Sequence, residues 1–173
     1  AEGIVRHREE AILLIAHRDR GLVEKAIRTI EIDYVEEAGV FDLRQGDVMK
    51  EYVIDHGDIE REFAESEVVF ERTYQTGAQE HVYIEPQGFI AWWDDEGVTL
   101  HGSHQCPYYV HRAVAAAFQL EPEQVNVVQT TTGGAFGGKE DFPSIVAIHA
   151  ALLARKAGKP VRLIYDREEI GRA

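Results

Sequence analysis

The sequence is poor in cysteine, in basic residues and in long apolar runs. Cys106 is the only cysteine, so the chain can form no intrachain disulfide and can build neither an iron–sulfur cluster nor a Cys-rich zinc site alone. Lys and Arg number 18 against 31 Asp and Glu, a net charge of -13. This balance argues against nucleic-acid backbones and anionic membranes as partners, because basic side chains provide that affinity.

Long apolar segments are also missing. The longest nearly apolar stretch, residues 145–154, contains a histidine and is too short to span a bilayer. The first ten residues, AEGIVRHREE, contain no apolar signal core. The hydrophobic fraction of 45% is nevertheless ordinary for a packed globular protein. We therefore expect a soluble, cytoplasmic protein.

The apolar periodicity alternates between helical and extended patterns. Helical spacing predicts helices over 21–30, 107–118 and 144–158. Apolar, β-branched and aromatic runs predict strands over 11–16, 30–35, 68–75, 81–93, 98–103, 125–129 and 160–166. This order predicts an α+β fold, in which mixed sheets pack against helices and βαβ-like units surround a glycine-rich loop.

The glycine-rich loop, TTTGGAFGGKED at 130–141, is the strongest functional signal. Four of its residues are glycines, in two pairs that flank Ala135 and Phe136, and the loop lies between a predicted strand and a predicted helix. Glycine pairs are favoured where the backbone turns sharply or approaches a ligand closely. Backbone N–H groups just before a helix form a cradle for an anion or an oxygen ligand.

A nucleotide- or phosphate-binding module is one alternative for this loop. Gly133, Gly138 and Lys139 fit a phosphate-binding loop up to its last position, where Glu140 replaces the Ser or Thr that would hold magnesium. Asp141 adds a second carboxylate beside the phosphates, which disfavours this alternative. The dinucleotide pattern G-x-G-x-x-G is absent.

A zinc site is a second alternative, suggested by His101, His104, Cys106 and His111. The two histidines near the predicted strand end have an odd spacing, which directs their side chains apart, and no second ligand pair is present. We therefore expect no zinc site here.

Four segments together carry a family resemblance. They are GGAFGGKE (133–140), QEHVYIEPQ (79–87), SHQ (103–105) and KAGKPVRLIYDREE (156–169). With these segments the chain resembles the large subunit of the xanthine dehydrogenase and aldehyde oxidase family, whose members are molybdenum hydroxylases with a molybdopterin cofactor.

The resemblance implies a role for five residues of this chain. Gln105 matches the Gln whose side-chain amide approaches the oxo ligand of molybdenum, and Phe136 and Gly137 match the loop that packs against the metal and the pterin. Gly134 would set the shape of that loop. Because of these matches, Gln105 and Phe136 would both lie near molybdenum. Glu140 matches the carboxylate that faces the substrate in purine-hydroxylating members.

The resemblance also implies a domain organisation. Residues 1–45 are similar to the C-terminal part of an α/β hammerhead-like domain, and residues 67–173 to part of the first molybdopterin-binding domain. Residues 46–66 would be an acidic connector. Family chemistry uses a metal-bound hydroxide and a Glu general base. That Glu lies in the family's last domain and has no counterpart here, so we expect the chain alone to be inactive.

For the whole protein, the resemblance implies a molybdenum-dependent dehydrogenase or oxidase that acts on purines, aldehydes or N-heterocycles. Electrons would leave through [2Fe–2S] and FAD centres on other domains or subunits, and the intact enzyme would be an oligomer. A third alternative is a non-catalytic assembly domain that keeps the fold without the cofactor.

Overall fold

The structure is a computed structural model that describes residues 3–6 and 10–170. The α-helices are α1 (Arg20–Thr29), α2 (Ile59–Glu65), α3 (Pro107–Phe118), α4 (Pro143–Ala157) and α5 (Arg167–Ile170), and single 3₁₀ turns cover Leu43–Gln45 and Pro122–Gln124. The strands are β1 (Gly88–Asp94), β2 (Gly97–Gly102), β3 (Val125–Gln129) and β4 (Val161–Ile164). The predicted α+β class is confirmed.

The four strands form one mixed sheet in the order β3-β2-β1-β4. β1 and β2 form an antiparallel hairpin, β1 also pairs antiparallel with β4, and β2 pairs parallel with β3. Parallel neighbours need a crossover connection, which α3 supplies between β2 and β3. This crossover places the ends of β2 and β3 side by side, so that SHQ and the glycine-rich loop leave the sheet together.

One face of the sheet and two helices enclose the core. Along β1, Phe89 and Ala91 are buried, and along β2, Val98 and Leu100 are buried. This alternation with period two directs one face of the hairpin inward. The helices contribute Val110 and Val114 from α3, and Val146, Ala147, Ala150, Ala151 and Ala154 from α4.

Helices α3 and α4 begin and end close to their predicted bounds. α3 covers the predicted 107–118, with Pro107 in its first turn, and α4 begins one residue before the predicted 144. Proline suits a first turn, where its missing N–H has no intrahelical acceptor. Gly158 ends α4 in the left-handed conformation, with φ +60°.

Several predicted strands are wrong. Residues 11–16, 30–35 and 68–75 form no strand and belong to no sheet, and the strand predicted over 81–93 begins only at Gly88. A strand is stable when neighbouring strands satisfy its N–H and C=O groups. The apolar side chains of these three segments are partly or largely exposed, as Leu13 and Phe70 show at 56% and 78%.

Residues 31–78 form one compact unit, and residues 1–30 with 79–173 form the other. The acidic stretch of the first unit contains the short helix α2, whose N-cap carboxylate, Asp58, accepts a hydrogen bond from the Arg61 N–H at 3.1 Å. Among the described residues, no helix combines the length and the apolar character that crossing a membrane requires.

Candidate functional site

The glycine-rich loop adopts a backbone conformation that L-residues rarely take. φ is +94° at Gly134, +55° at Phe136 and +96° at Gly137. Glycine takes such angles without steric cost, but a bulky residue is strained there. The Phe136 side chain is 77% exposed, so burial of its ring inside this chain does not compensate the strain. Strain of this kind concentrates at ligand sites.

Segment 81–85 packs directly against the loop. A Cβ at Gly138 would lie 2.5 Å from Cε1 of Tyr83 and 3.1 Å from Cγ of His81. A Cβ at Gly133 would lie 2.7 Å from Cβ of Glu85. These two glycines are therefore required by close packing, whereas Gly134 and Gly137 supply conformational freedom.

The loop fixes the carboxamide of Gln105. Its Oε1 accepts hydrogen bonds from the N–H groups of Gly137 at 3.0 Å and Lys139 at 3.3 Å, and the Gln105 N–H donates to the Lys139 carbonyl at 2.7 Å. Backbone N–H groups only donate, so the atom facing them must be the oxygen. Nε2 then has two N–H donors for a further acceptor, and within residues 3–6 and 10–170 it has none.

Three consecutive N–H groups of the loop are also without an acceptor in the described part of the chain. They belong to Gly134, Ala135 and Phe136. Successive N–H groups beside left-handed residues form a concave site for anions or oxygen ligands. The loop therefore offers a backbone cradle beside the Gln105 amide.

A buried ion pair lies behind the loop. The Lys139 side chain has no exposed surface, and its Nζ lies 2.8 Å from Oε2 of Glu85 and 2.9 Å from Oγ of Ser103. The same Oε2 accepts from the Ser103 hydroxyl at 2.5 Å and from the Gly133 N–H at 2.7 Å. Burial raises the pKa of Glu85, but hydrogen bonds from Lys139, Ser103 and Gly133 outweigh it and hold that pKa below its usual value.

Gln87 and Arg167 hold segment 83–87 in place. Nε2 of Gln87 donates to the Tyr83 hydroxyl at 2.7 Å and to the Gly138 carbonyl at 3.0 Å. The Arg167 guanidinium donates to the carbonyls of Tyr83 and Ile84. Burial raises the pKa of Tyr83, which keeps its hydroxyl protonated. The segment is thus fastened both to the loop and to α5.

A hollow of about 230 Å³ lies on one side of the loop, lined by residues that include Glu80, His81, Tyr83, Gly137 and Glu140. Glu140 is exposed there. The structure thus brings the predicted Gln105 into contact with the loop that contains the predicted Gly134, Phe136 and Gly137, and it places Glu140 in the adjoining hollow.

The three histidines among the four zinc candidates lie in different surroundings. The ring of His101 contacts Trp92 at 5.0 Å, whereas the fully buried ring of His104 stacks on Phe89 at 5.4 Å. Nε2 of His111 lies 2.9 Å from the Pro122 carbonyl. Over the described ranges, no three His, Cys, Asp or Glu side chains are placed to share a metal ion.

Lys139 also weakens the phosphate-binding alternative. In such loops the lysine ammonium reaches the phosphates. Here Nζ is fully buried and bonded to Glu85 and Ser103, so it is turned away from any ligand on the loop surface.

Sequence reasoning missed Glu85 and Ser103 as site residues. Both lie in the segments QEHVYIEPQ and SHQ that carry the family resemblance, and Glu85 interrupts a largely apolar run. A lone charge in such a run, together with a Lys inside a glycine-rich loop, is a signal for a buried ion pair, because buried charges require partners.

The comparisons with known proteins decide the family. The sequence model of the molybdopterin cofactor-binding domain matches residues 40–171. The chain belongs to this family. This chain is 35% identical over 178 residues to the nicotinate dehydrogenase large molybdopterin subunit of Eubacterium barkeri, covering 95% of the chain and 41% of that protein. It is 31% identical to one subunit of a probable xanthine dehydrogenase of Bacillus subtilis, covering 97% of the chain and 24% of that protein.

Solved structures show the same fold. The Cu,Mo-CO dehydrogenase matches with a TM-score of 0.72 at 24% identity, over 88% of this chain and 23% of that one. Quinoline 2-oxidoreductase from Pseudomonas putida 86 matches with a TM-score of 0.67 at 24% identity, over 87% of this chain and 21% of that one. The chain spans less than half the length of these relatives.

Proposed function

We propose that the chain forms part of the molybdopterin pocket of a molybdenum hydroxylase that oxidises purines, aldehydes or N-heterocycles. One observation carries the proposal: the glycine-rich loop holds the Gln105 carboxamide with Oε1 bonded and both Nε2 hydrogens available. Family membership supports it. Relatives named as nicotinate dehydrogenase and probable xanthine dehydrogenase support the reaction class.

The donor set of the loop fits this cofactor. Molybdenum in such a cofactor carries oxygen ligands, and amide N–H groups suit them as hydrogen-bond donors. Gln105 would donate from Nε2, and Gly134, Phe136 and Gly137 would form the cradle against which the metal and the pterin pack. When bound, the cofactor supplies the redox chemistry, while these residues orient it and exclude water.

Glu140 is the substrate-facing residue in this proposal. Its exposed carboxylate shares the hollow with Glu80 and His81, beside Gly137 of the loop. A carboxylate at this place accepts hydrogen bonds from the ring N–H groups of a heterocycle and so orients it. Chemistry at a substrate carbon also needs a general base, which the family places in its last domain.

The wider organisation is part of the same proposal. Residues 1–45 would end a hammerhead-like domain, residues 46–66 would be a connector, and residues 67–173 would begin the first molybdopterin-binding domain. The intact enzyme would be a cytoplasmic oligomer that passes electrons to [2Fe–2S] and FAD centres on other domains or subunits. The assembly-domain alternative predicts the same fold without turnover.

Product analysis in labelled water tests the reaction class. The purified intact protein is incubated with a purine, an aldehyde or an N-heterocycle and an artificial electron acceptor in H₂¹⁸O. We expect a hydroxylated product whose new oxygen carries the label, because the proposed reaction class would take its oxygen from water. Absence of oxidised product from every substrate class, or unlabelled oxygen in the product, would contradict the proposal.

The Gln105→Glu variant tests the residue that carries the proposal. A carboxylate retains the oxygen that accepts from Gly137 and Lys139 but lacks the two N–H donors. We expect turnover to fall about 10- to 100-fold with the fold intact. Gln75→Glu, at an exposed position, is the matched control and keeps full turnover. Equal activity of both variants would show that the donors of Gln105 play no part.

A further inference from the structure

The loop and Gln105 depend on one residue, Lys139. Its backbone makes two of the three hydrogen bonds that hold Gln105, and its side chain ends in the buried contact with Glu85 and Ser103. Three chain segments, at 83–87, 103–105 and 133–139, therefore meet at a single lysine.

The charges of this contact are unequally buried. The Lys139 side chain is fully buried, whereas the Glu85 side chain is 38% exposed. A buried ammonium is costly without a partner, and removing only one member of a buried pair leaves an uncompensated charge. Glu85 thus fixes the position of the Lys139 ammonium group. Through the backbone of Lys139, it also fixes the backbone path of the glycine-rich loop.

Glu85 restrains the other end of the loop as well. Its Oε2 accepts from the Gly133 N–H at 2.7 Å, and its own N–H donates to the Gly133 carbonyl at 3.2 Å. The strained stretch from Gly134 to Gly137 lies between these two anchors. A strained backbone persists only where its surroundings hold it, and here the holding contacts are those of Glu85 and Lys139.

We propose that Lys139 and Glu85 are positioning residues, whose ion pair holds the glycine-rich loop and the Gln105 carboxamide in the geometry that receives the cofactor. This rests on the proposed function. Neither residue touches the cofactor in this account, because the Lys139 ammonium is directed away from the loop surface and into the contact with Glu85 and Ser103.

The test uses the intact protein and the variants Lys139→Met and Glu85→Gln, their double variant, and Gln105→Ala alone and added to the double variant. The double variant removes both charges and so avoids an unpaired buried charge, which keeps a folded protein available if a single variant unfolds. Lys159→Met, at an exposed position, is the matched control. The readouts are molybdenum per polypeptide, the Mo(V) electron paramagnetic resonance spectrum, turnover per bound molybdenum, and the thermal unfolding midpoint.

We expect the double variant to unfold near the wild-type midpoint but to contain about 10-fold less molybdenum or to lose about 10-fold in turnover per bound molybdenum. Its Mo(V) spectrum should shift in the same direction as that of Gln105→Ala, and adding Gln105→Ala should cause no further shift, since both changes act on one amide. Lys159→Met should match wild type in all readouts.

A double variant with wild-type molybdenum content, spectrum and turnover would overturn this proposal alone. So would additive spectral shifts, which would show that Lys139 acts independently of Gln105. Wild-type protein without molybdenum would overturn the proposed function and this proposal together, so the two failures are distinguishable.

Discussion

At the scale of single residues, Phe136 has an unusual combination of properties. Its φ of +55° is strained for a bulky residue, yet its ring is 77% exposed and gains little from the packing of this chain. Contacts of Glu85 with Gly133 and Lys139 hold the loop on both sides of this residue, and strain of this kind concentrates at ligand sites. The molybdopterin cofactor is the ligand that the proposed function supplies.

Phe136→Gly separates strain from function. Glycine adopts this φ without steric cost, so we expect the free energy of unfolding to rise by roughly 1 kcal/mol or to stay unchanged. In the proposed function this ring packs on the cofactor, so its loss should lower the molybdenum content about 10-fold. Chemical denaturation and elemental analysis of the intact protein check both results. A destabilised variant with full molybdenum content would contradict this account.

A partly buried histidine makes stability depend on pH. Burial lowers the pKa of His149, which lies in the middle of α4. Because the pKa is lowered in the folded protein, the unfolded chain binds the proton more readily. The stability that the neutral ring contributes is therefore fully present above pH 6.5, the ordinary pKa of histidine. It is lost as the pH falls towards the lowered pKa of the folded protein.

We therefore expect the thermal midpoint to fall between pH 7.5 and pH 5.5 by less in His149→Gln than in wild type, because glutamine does not titrate. The difference between the two proteins isolates this histidine from other groups that titrate in that range. An identical pH dependence would show that His149 makes no such contribution.

The sequence predicted the candidate residues Gln105, Phe136 and Gly137 but not the buried pair behind them. Gln105 lies in SHQ and the other two lie in GGAFGGKE, short motifs that carry the family resemblance. Glu85 and Lys139 are 54 positions apart, and their contact arises only when the sheet places 81–87 beside the loop. A lone Glu in an apolar run and a Lys in a glycine-rich loop each indicate a need for a partner, but local patterns do not show that these two residues pair with each other.

At the scale of elements, helices were predicted better than strands for a physical reason. The backbone bonds of a helix are local, so α3 and α4 appear where apolar spacing and end signals place them. A strand needs a neighbour, and residues 11–16, 30–35 and 68–75 have none within the described residues. Only β1 to β4, which pair with each other, form strands in the described part of the chain.

The C-termini of α3 and α4 provide a matched pair of tests. Both end in the left-handed conformation, at Gln119 with φ +55° and at Gly158 with φ +60°. A side chain costs about 1 kcal/mol there. We expect Gly158→Ala to lower the free energy of unfolding by about that amount and Gln119→Gly to raise it by less, because glycine also increases the entropy of the unfolded chain. Denaturant titration measures both, and changes of the same sign would contradict this account.

At the scale of the whole molecule, the net charge and the core belong to different parts of the chain. Eight carboxylates and one base lie in residues 51–71. Every residue from 31 to 78 is exposed except Asp42, which is half-buried. The core lies entirely within β1, β2, β3, α3 and α4. The charge of -13 therefore describes largely this exposed stretch and gives no information on the site.

The central claim is that the glycine-rich loop and Gln105 form part of a molybdopterin site. Elemental analysis of the intact protein, purified from cells supplied with molybdate, tests it most directly. The account predicts about one molybdenum per polypeptide, accompanied by a pterin that is released on denaturation. Purified, folded protein that contains neither molybdenum nor pterin would contradict it.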